Sequence, residues 1–132
     1  MHNIFVNGTF DVIHHGHISL LNYARTCGDR LFVGIDSDRR VAEKKGPTRP
    51  INSAEIRRHT LMSLKSVDEV IIFDSDKELE MLVKQINPRY LVIGDEYRDK
   101  EVIGGRYAEQ IVFFPKIDGY SSTKIIQSLN HR

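Results

Sequence analysis

Short, almost wholly apolar runs alternate along this chain with longer stretches whose apolar residues recur every three or four positions. The short runs are Ile4–Val6, Arg30–Ile35, Val70–Phe73, Tyr90–Ile93 and Ile111–Phe114. Their length and lack of polar alternation predict strands covered on both faces. The longer stretches predict amphipathic helices. One runs over Ile18–Arg25. A second runs from Ser53 or Ala54 to Leu64, with Ile56, Leu61 and Leu64 on one face and Arg57 and Arg58 directed elsewhere. A third runs over Lys77–Ile86, with Leu79, Leu82, Val83 and Ile86 in register, and Pro88 closes it. A last helix is expected from Ser121 or Ser122, with Ile125, Ile126 and Leu129 buried. Arg39 to Asn52, with Lys44, Lys45, Gly46, Pro47, Arg49 and Pro50, reads as a shaped basic loop. Strand and helix in alternation predict one α/β domain over residues 1–132. Its five-stranded sheet is mostly parallel, with helices on both faces and right-handed crossovers. The pattern does not contain the strand order. Polar clusters follow the first, second, fourth and fifth strands, so a parallel sheet gathers them at one edge.

The most telling cluster is Asn7-Gly8-Thr9-Phe10-Asp11-Val12-Ile13-His14-His15-Gly16-His17, between the first strand and the first helix. A helix start offers unpaired backbone N–H groups to an anion. Histidines beside it can grip a polyphosphate and stabilise charge that builds up during transfer. Gly16 permits close backbone approach. Thr9 can donate a hydroxyl to phosphate or satisfy the turn. Asp11 can bind turn N–H groups, orient a histidine, or help hold a hydrated Mg²⁺.

Composition narrows the field. The 132 residues suit a single core. No run is apolar enough to span a bilayer and no secretory leader is visible, so the expected setting is the cytoplasm, without membrane contact. A net charge of +1 gives no reason to expect a nucleic-acid groove. The lone cysteine, Cys27, allows neither an internal disulfide nor a thiolate metal cluster. Neither GxxxxGK[ST] nor GxGxxG occurs, which argues against a Walker-type ATPase and a dinucleotide dehydrogenase. A zinc hydrolase built on His14, His15 and His17 lacks a matching Cys or second His cluster, so no protein-held metal site is expected.

Other clusters supply partners for phosphate. Lys44 or Lys45 can act as point charges and Arg49 as a planar fork. Asp95 and Glu96 follow a buried strand and can accept hydrogen bonds from a substrate. Ser121, Ser122 and Thr123 offer more hydroxyls than one helix cap needs.

Taken together, these segments resemble the cytidylyltransferase-like nucleotidylyltransferases, a Rossmann-like family whose signature is HxGH, here His14-His15-Gly16-His17. Asp95-Glu96-Tyr97 after Gly94 looks like the family's acidic loop, and Gly119-Tyr120-Ser121-Ser122-Thr123-Lys124-Ile125 like its late hydroxyl-rich motif. Lys45-Gly46-Pro47-Thr48-Arg49-Pro50-Ile51-Asn52 is similar to the KGxxRPVN segment of the adenylyltransferase domain of bacterial ADP-heptose synthesis. The length and Gly94-Asp95-Glu96 look like glycerol-3-phosphate cytidylyltransferase; archaeal FAD synthetase is a more distant likeness. The chain departs from the cytidylyltransferase at Lys116-Ile117, where that enzyme has Arg-Thr. It departs from the heptose enzyme's Gly-Gly-Asp-Tyr at Gly94-Asp95-Glu96-Tyr97.

The resemblance implies transfer of a nucleoside monophosphate from a nucleoside triphosphate to a phosphorylated sugar or polyol, with release of pyrophosphate. It favours ATP and heptose 1-phosphate, with CTP and glycerol 3-phosphate as the alternative. A nucleotide-binding sensor on the same fold is the non-catalytic alternative. By resemblance, His14, His17, Lys44 and Arg57 carry the chemistry. Thr9, Phe10, Asp11, Gly16, Asp95, Tyr120, Ser121, Ser122 and Thr123 line the nucleotide. Mg²⁺ bridges phosphate oxygens, and the protein is a homodimer.

Overall fold

In the computed structural model, residues 2–115 are described. The elements are β1 (Asn3–Gly8), α1 (His15–Thr26), β2 (Arg30–Asp36), α2 (Asp38–Lys45), α3 (Ala54–Met62), β3 (Glu69–Phe73), α4 (Asp76–Ile86), β4 (Tyr90–Gly94) and β5 (Gln110–Phe114). Two short 3-10 turns, Asp95–Tyr97 and Gly105–Tyr107, lie between β4 and β5. The helix expected from Ser121 or Ser122 lies outside the described residues.

All five strands are parallel, in the order β3-β2-β1-β4-β5. The chain builds outward from β1 to β3, then returns to the other side of β1 for β4. That reversal makes the boundary between β1 and β4 the topological switch point, the place where open α/β sheets bind ligands.

Strand alternation divides the core into two layers. Ile4 and Val6 of β1, Leu31, Val33 and Ile35 of β2 and Val92 of β4 pack with Leu21, Ala24 and Leu61 of α1 and α3. Phe5, Leu91 and Ile93 face the other way, onto Leu79 and Val83 of α4. Helices thus cover both faces of a wholly parallel sheet. Ser37, Ser53 and Ser75 cap α2, α3 and α4, each hydroxyl accepting a first-turn backbone N–H. Cys27 ends α1, half-buried, with its Sγ 3.5 Å from the Tyr23 carbonyl.

One expectation is corrected. The basic stretch expected as a loop from Arg39 begins as helix α2, and Lys44 and Lys45 are its last turn. The helix buries Val41 and, less predictably, Arg40. An arginine counted as solvated polarity is a core residue here because Asp36 and Asp76 pair with it.

Candidate active site

β1 pairs with β2 through six positions, from Asn3 opposite Arg30 to Gly8 opposite Ile35. Its ladder with β4 holds only two, Ile4 opposite Tyr90 and Phe5 opposite Leu91. Beyond Phe5 and Leu91 the two strands part, and the split opens at the carboxyl edge of the sheet. Asn7 stands on this stretch of β1 with its Oδ1 buried and without a hydrogen-bond partner.

The turn after β1 is tight. Phe10 is buried with φ +52°, a left-handed conformation costly for an aromatic residue. Its ring lies 5.0 Å from that of His17. The HxGH residues are not a loop before the helix, as the sequence suggested; they form its first turn. His14 is the N-cap. Its Nδ1 accepts from the Gly16 N–H at 3.0 Å, and His17 Nδ1 accepts from the His14 N–H at 3.3 Å. This is a capping box made of two imidazoles.

A backbone N–H can only donate, so both Nδ1 atoms are unprotonated in these bonds. In the neutral rings the proton must then sit on Nε2. The rings stack, 3.7 Å between centroids. Burial first, then the charges of His14 and Lys45, push the His17 pKa down to about 4. Burial, and then His15, also lower that of His14. At neutral pH the helix start therefore carries two neutral imidazoles in the Nε2–H form.

Beneath them runs a buried ionic network. Asp11 accepts the Ile51 and Asn52 N–H groups, each at 2.8 Å, and Arg49 Nε at 3.1 Å. Burial opposes its charge, but the Asn52 and Ile51 N–H groups and Arg49 outweigh burial and keep its pKa below the ordinary carboxylate value. Asp11 was foreseen to bind N–H groups of its own turn; the backbone N–H groups it takes are instead those of the segment after α2, which it ties down. Asp36, at the end of β2, takes Thr9 Oγ1 at 3.3 Å and Arg40 Nε at 2.7 Å.

Arg57 is 1% exposed. Its Nε donates to the Asn52 carbonyl, its Nη1 to those of Thr9 and Asp36, and its Nη2 to Asp38. It joins the β1 turn, the end of β2 and the start of α3 from below the site, not from its mouth. Asp38 also accepts the Ala54 N–H.

Of the two adjacent lysines, Lys45 is the one whose charge reaches the site. Burial and the Arg49 charge lower its pKa, against a smaller pull from Asp36 and Asp11. Its own charge is among those that depress His17. The sequence reading offered Lys44 or Lys45 for the phosphates and set Lys44 among the catalytic residues; neighbours on a helix differ by about 100° in direction, which adjacency alone cannot resolve. Asp95 opens the 3-10 turn after β4 and pairs with Arg98, whose Nε is 2.8 Å away. Tyr120, Ser121, Ser122 and Thr123 lie outside the described residues. Asp36, Asp38 and Arg40 were given no role in the sequence reading, and Asn7 and Asn52 stood there only as ends of motif segments. The only cue for Asp36 was its place at the end of an apolar strand.

Among the described residues no group of three His, Cys, Asp or Glu side chains could hold a metal. Asp11 and Asp36 are already bound to arginines, so the donor set suits a cation carried by phosphate oxygens, not one caged by protein.

The chain matches the cytidylyltransferase-like family over residues 5–128. It belongs to that family. As a member it is a nucleotidyltransferase, and HxGH at the switch point is the family motif in place. It is 44% identical over 126 residues to the bifunctional protein HldE of Sulfurimonas denitrificans, covering 96% of this chain and 26% of that protein. The HldE proteins of Helicobacter hepaticus and Gluconobacter oxydans are 44% and 38% identical. The chain thus spans about a quarter of the length of these curated relatives. Among solved structures, a lipopolysaccharide core biosynthesis protein from Thermoplasma volcanium superposes with a TM-score of 0.67 at 26% identity, covering 92% of this chain and 99% of that one. Pantothenate synthetase from Thermus thermophilus shares the fold, with a TM-score of 0.64 at 14% identity, covering 89% of this chain and 56% of that one.

Proposed function

We propose that this nucleotidyltransferase transfers AMP from ATP to a heptose 1-phosphate, giving an ADP-sugar and pyrophosphate. The observation that carries the reading is the likeness to HldE proteins, which extends over 96% of the chain and includes the Lys45–Asn52 segment. The similarity to the lipopolysaccharide core biosynthesis protein of Thermoplasma volcanium agrees with an activated-sugar product.

In this reading an oxygen of the acceptor phosphate attacks the α-phosphorus of ATP. A new P–O bond forms there. The bond from the α-phosphorus to the oxygen bridging to the β-phosphorus breaks, and its electron pair leaves with pyrophosphate. The acceptor is already anionic, so no strong general base is required. Catalysis consists of positioning and charge stabilisation. His14 and His17 donate Nε2–H bonds to phosphate oxygens, and the α1 backbone N–H groups add to them. Lys45 supplies a positive point charge. Arg57 acts at one remove, by fixing the Thr9 and Asp36 carbonyls. Asp95, Tyr120, Ser121, Ser122 and Thr123 are proposed to surround the nucleotide. Mg²⁺ bound to the triphosphate would neutralise charge on the departing pyrophosphate.

The test is a matrix of nucleoside triphosphates against heptose 1-phosphate, glycerol 3-phosphate and other phosphorylated alcohols, read by pyrophosphate release. ATP with heptose 1-phosphate should give the highest kcat/KM. Preference for CTP with glycerol 3-phosphate, the pairing that Gly94-Asp95-Glu96 would suit, would overturn the substrate assignment. Tight nucleotide binding with no turnover on any acceptor would make the protein a sensor. Replacing His17 by Ala should lower kcat by about 10²–10³-fold, the usual cost of one well-aimed transition-state donor.

A further inference from the structure

Three arginines lie buried at the carboxyl edge of the sheet, and they are not equally satisfied. Arg57 makes four hydrogen bonds to protein acceptors. Arg40 binds Asp36 through Nε and Asp76 through Nη2. Among the described residues the Arg49 side chain makes one hydrogen bond, from Nε to Asp11, and its Nη2 is buried with no partner. Its side chain is only 10% exposed. A guanidinium carries five N–H donors and cannot shed its charge by losing a proton, so such a site is costly unless something else accepts.

Asp11 takes only Nε of this guanidinium and leaves Nη2 without an acceptor. Both its oxygens already serve the Ile51 and Asn52 N–H groups, and its own carbonyl takes Asn52 Nδ2 at 2.7 Å. Those bonds fix the segment carrying Arg49 against the turn that carries Phe10. Phe10 in turn touches the His17 ring. Arg49 is thus tied to the turn that leads to the two histidines, and its charge disfavours that of Lys45. Two cations whose charges reach one another, with one carboxylate bound to Arg49, favour an anion beside them.

We infer that Arg49 is a phosphate-binding residue of this site, using its unspent guanidinium edge on an anionic oxygen of a substrate. The inference rests on the nucleotidyl-transfer reading and adds a residue to it. Nη2 has no open surface of its own, so presenting it to an oxygen requires the guanidinium to turn about its Nε–Asp11 bond. The oxygen belongs either to the nucleotide or to the acceptor phosphate, and binding constants separate the two.

The experiment compares wild type, R49M and R49K, with urea unfolding run on each to confirm the fold. Calorimetry gives Kd for ATP and inorganic pyrophosphate, and steady-state kinetics give KM for heptose 1-phosphate. R49M should weaken one class of phosphate ligand by about ten- to hundredfold, the cost of one hydrogen bond to a charged group. R49K should recover only part, because an ammonium lacks the planar fork. Loss confined to ATP and pyrophosphate assigns the oxygen to the nucleotide; a raised acceptor KM alone assigns it to the acceptor. A folded R49M with wild-type constants for all three ligands overturns the inference. Should R49M not fold, R49Q, which keeps a donor for Asp11 without the charge, is judged by the same constants. Should wild type turn over no acceptor, the substrate reading fails, while the ATP and pyrophosphate arms still decide Arg49.

Discussion

Replacing His17 by Gln isolates a pH-dependent contribution to stability that the wild-type fold carries. The His17 pKa falls from 6.5 to about 4 on folding, through burial first and then the His14 and Lys45 charges. The folded pKa is the lower one, so the unfolded chain binds more protons in the interval between them. Stability is therefore complete above pH 6.5 and is lost as pH falls toward 4. At about pH 5 the loss from this one group amounts to about 2 kcal/mol relative to about pH 7.5. Gln is the suitable replacement because His17 occupies the third helical position of a capping box, where Gln can accept the same N-cap N–H without titrating. The assay is urea unfolding of both proteins at the two pH values. Other titrating groups cancel in the comparison, so wild type should lose about 2 kcal/mol more than H17Q. Equal losses in the two proteins would refute the argument, as would a histidine NMR titration that placed the His17 midpoint near 6.5.

Three further outcomes are expected. Arg57→Met should cost about 3 kcal/mol or more in urea unfolding, because it strands the buried carbonyls of Thr9 and Asp36, and Arg57→Lys should not restore it; a loss under about 1 kcal/mol would contradict the role given to Arg57. Gly104→Ala should destabilise by about 1–2 kcal/mol, since φ is +78° and a Cβ would stand 2.8 Å from Val83 Cγ2; an unchanged denaturation midpoint would count against that packing. We propose that the protein is a homodimer, as the family resemblance implies, and sedimentation showing monomer alone at micromolar concentration would reject this.

The strands were legible because a segment covered on both faces has no room for polar residues, and Ile4–Val6, Leu31–Ile35 and Leu91–Ile93 carry none. The order of strands was not, since the same alternation permits several windings, and the pairing of β1 with β4 joins segments far apart in sequence. Helix α2 escaped notice because only Val41 gives it an apolar face; the rest of its buried surface is the stem of Arg40. For the same reason Arg57 was assigned to the exposed side of α3. Periodicity counts charge as solvent-facing, and cannot anticipate three carbonyls and a carboxylate assembled from distant segments. The HxGH segment was legible as the junction of the first strand and the first helix. That its two Nδ1 atoms would be occupied by the helix's own N–H groups required the folded backbone.

The double use of those imidazoles has an evolutionary side. Histidine is not among the favoured helix caps; Ser, Asp and Asn are, and Gln or Glu is the usual third-position partner. A few nucleotide changes at His14 and His17 therefore lead to a conventional capping box, at least as stable and without the paired Nε2–H donors. With the proposed roles of the two histidines, the active sequence stands beside inactive ones that fold as well as it does or better. Thermal stability alone would not select against them. With the roles proposed for His14 and His17, a continuing demand for the reaction is what keeps two histidines at this helix start, and a descendant released from that demand should lose them while its sheet and helices remain intact.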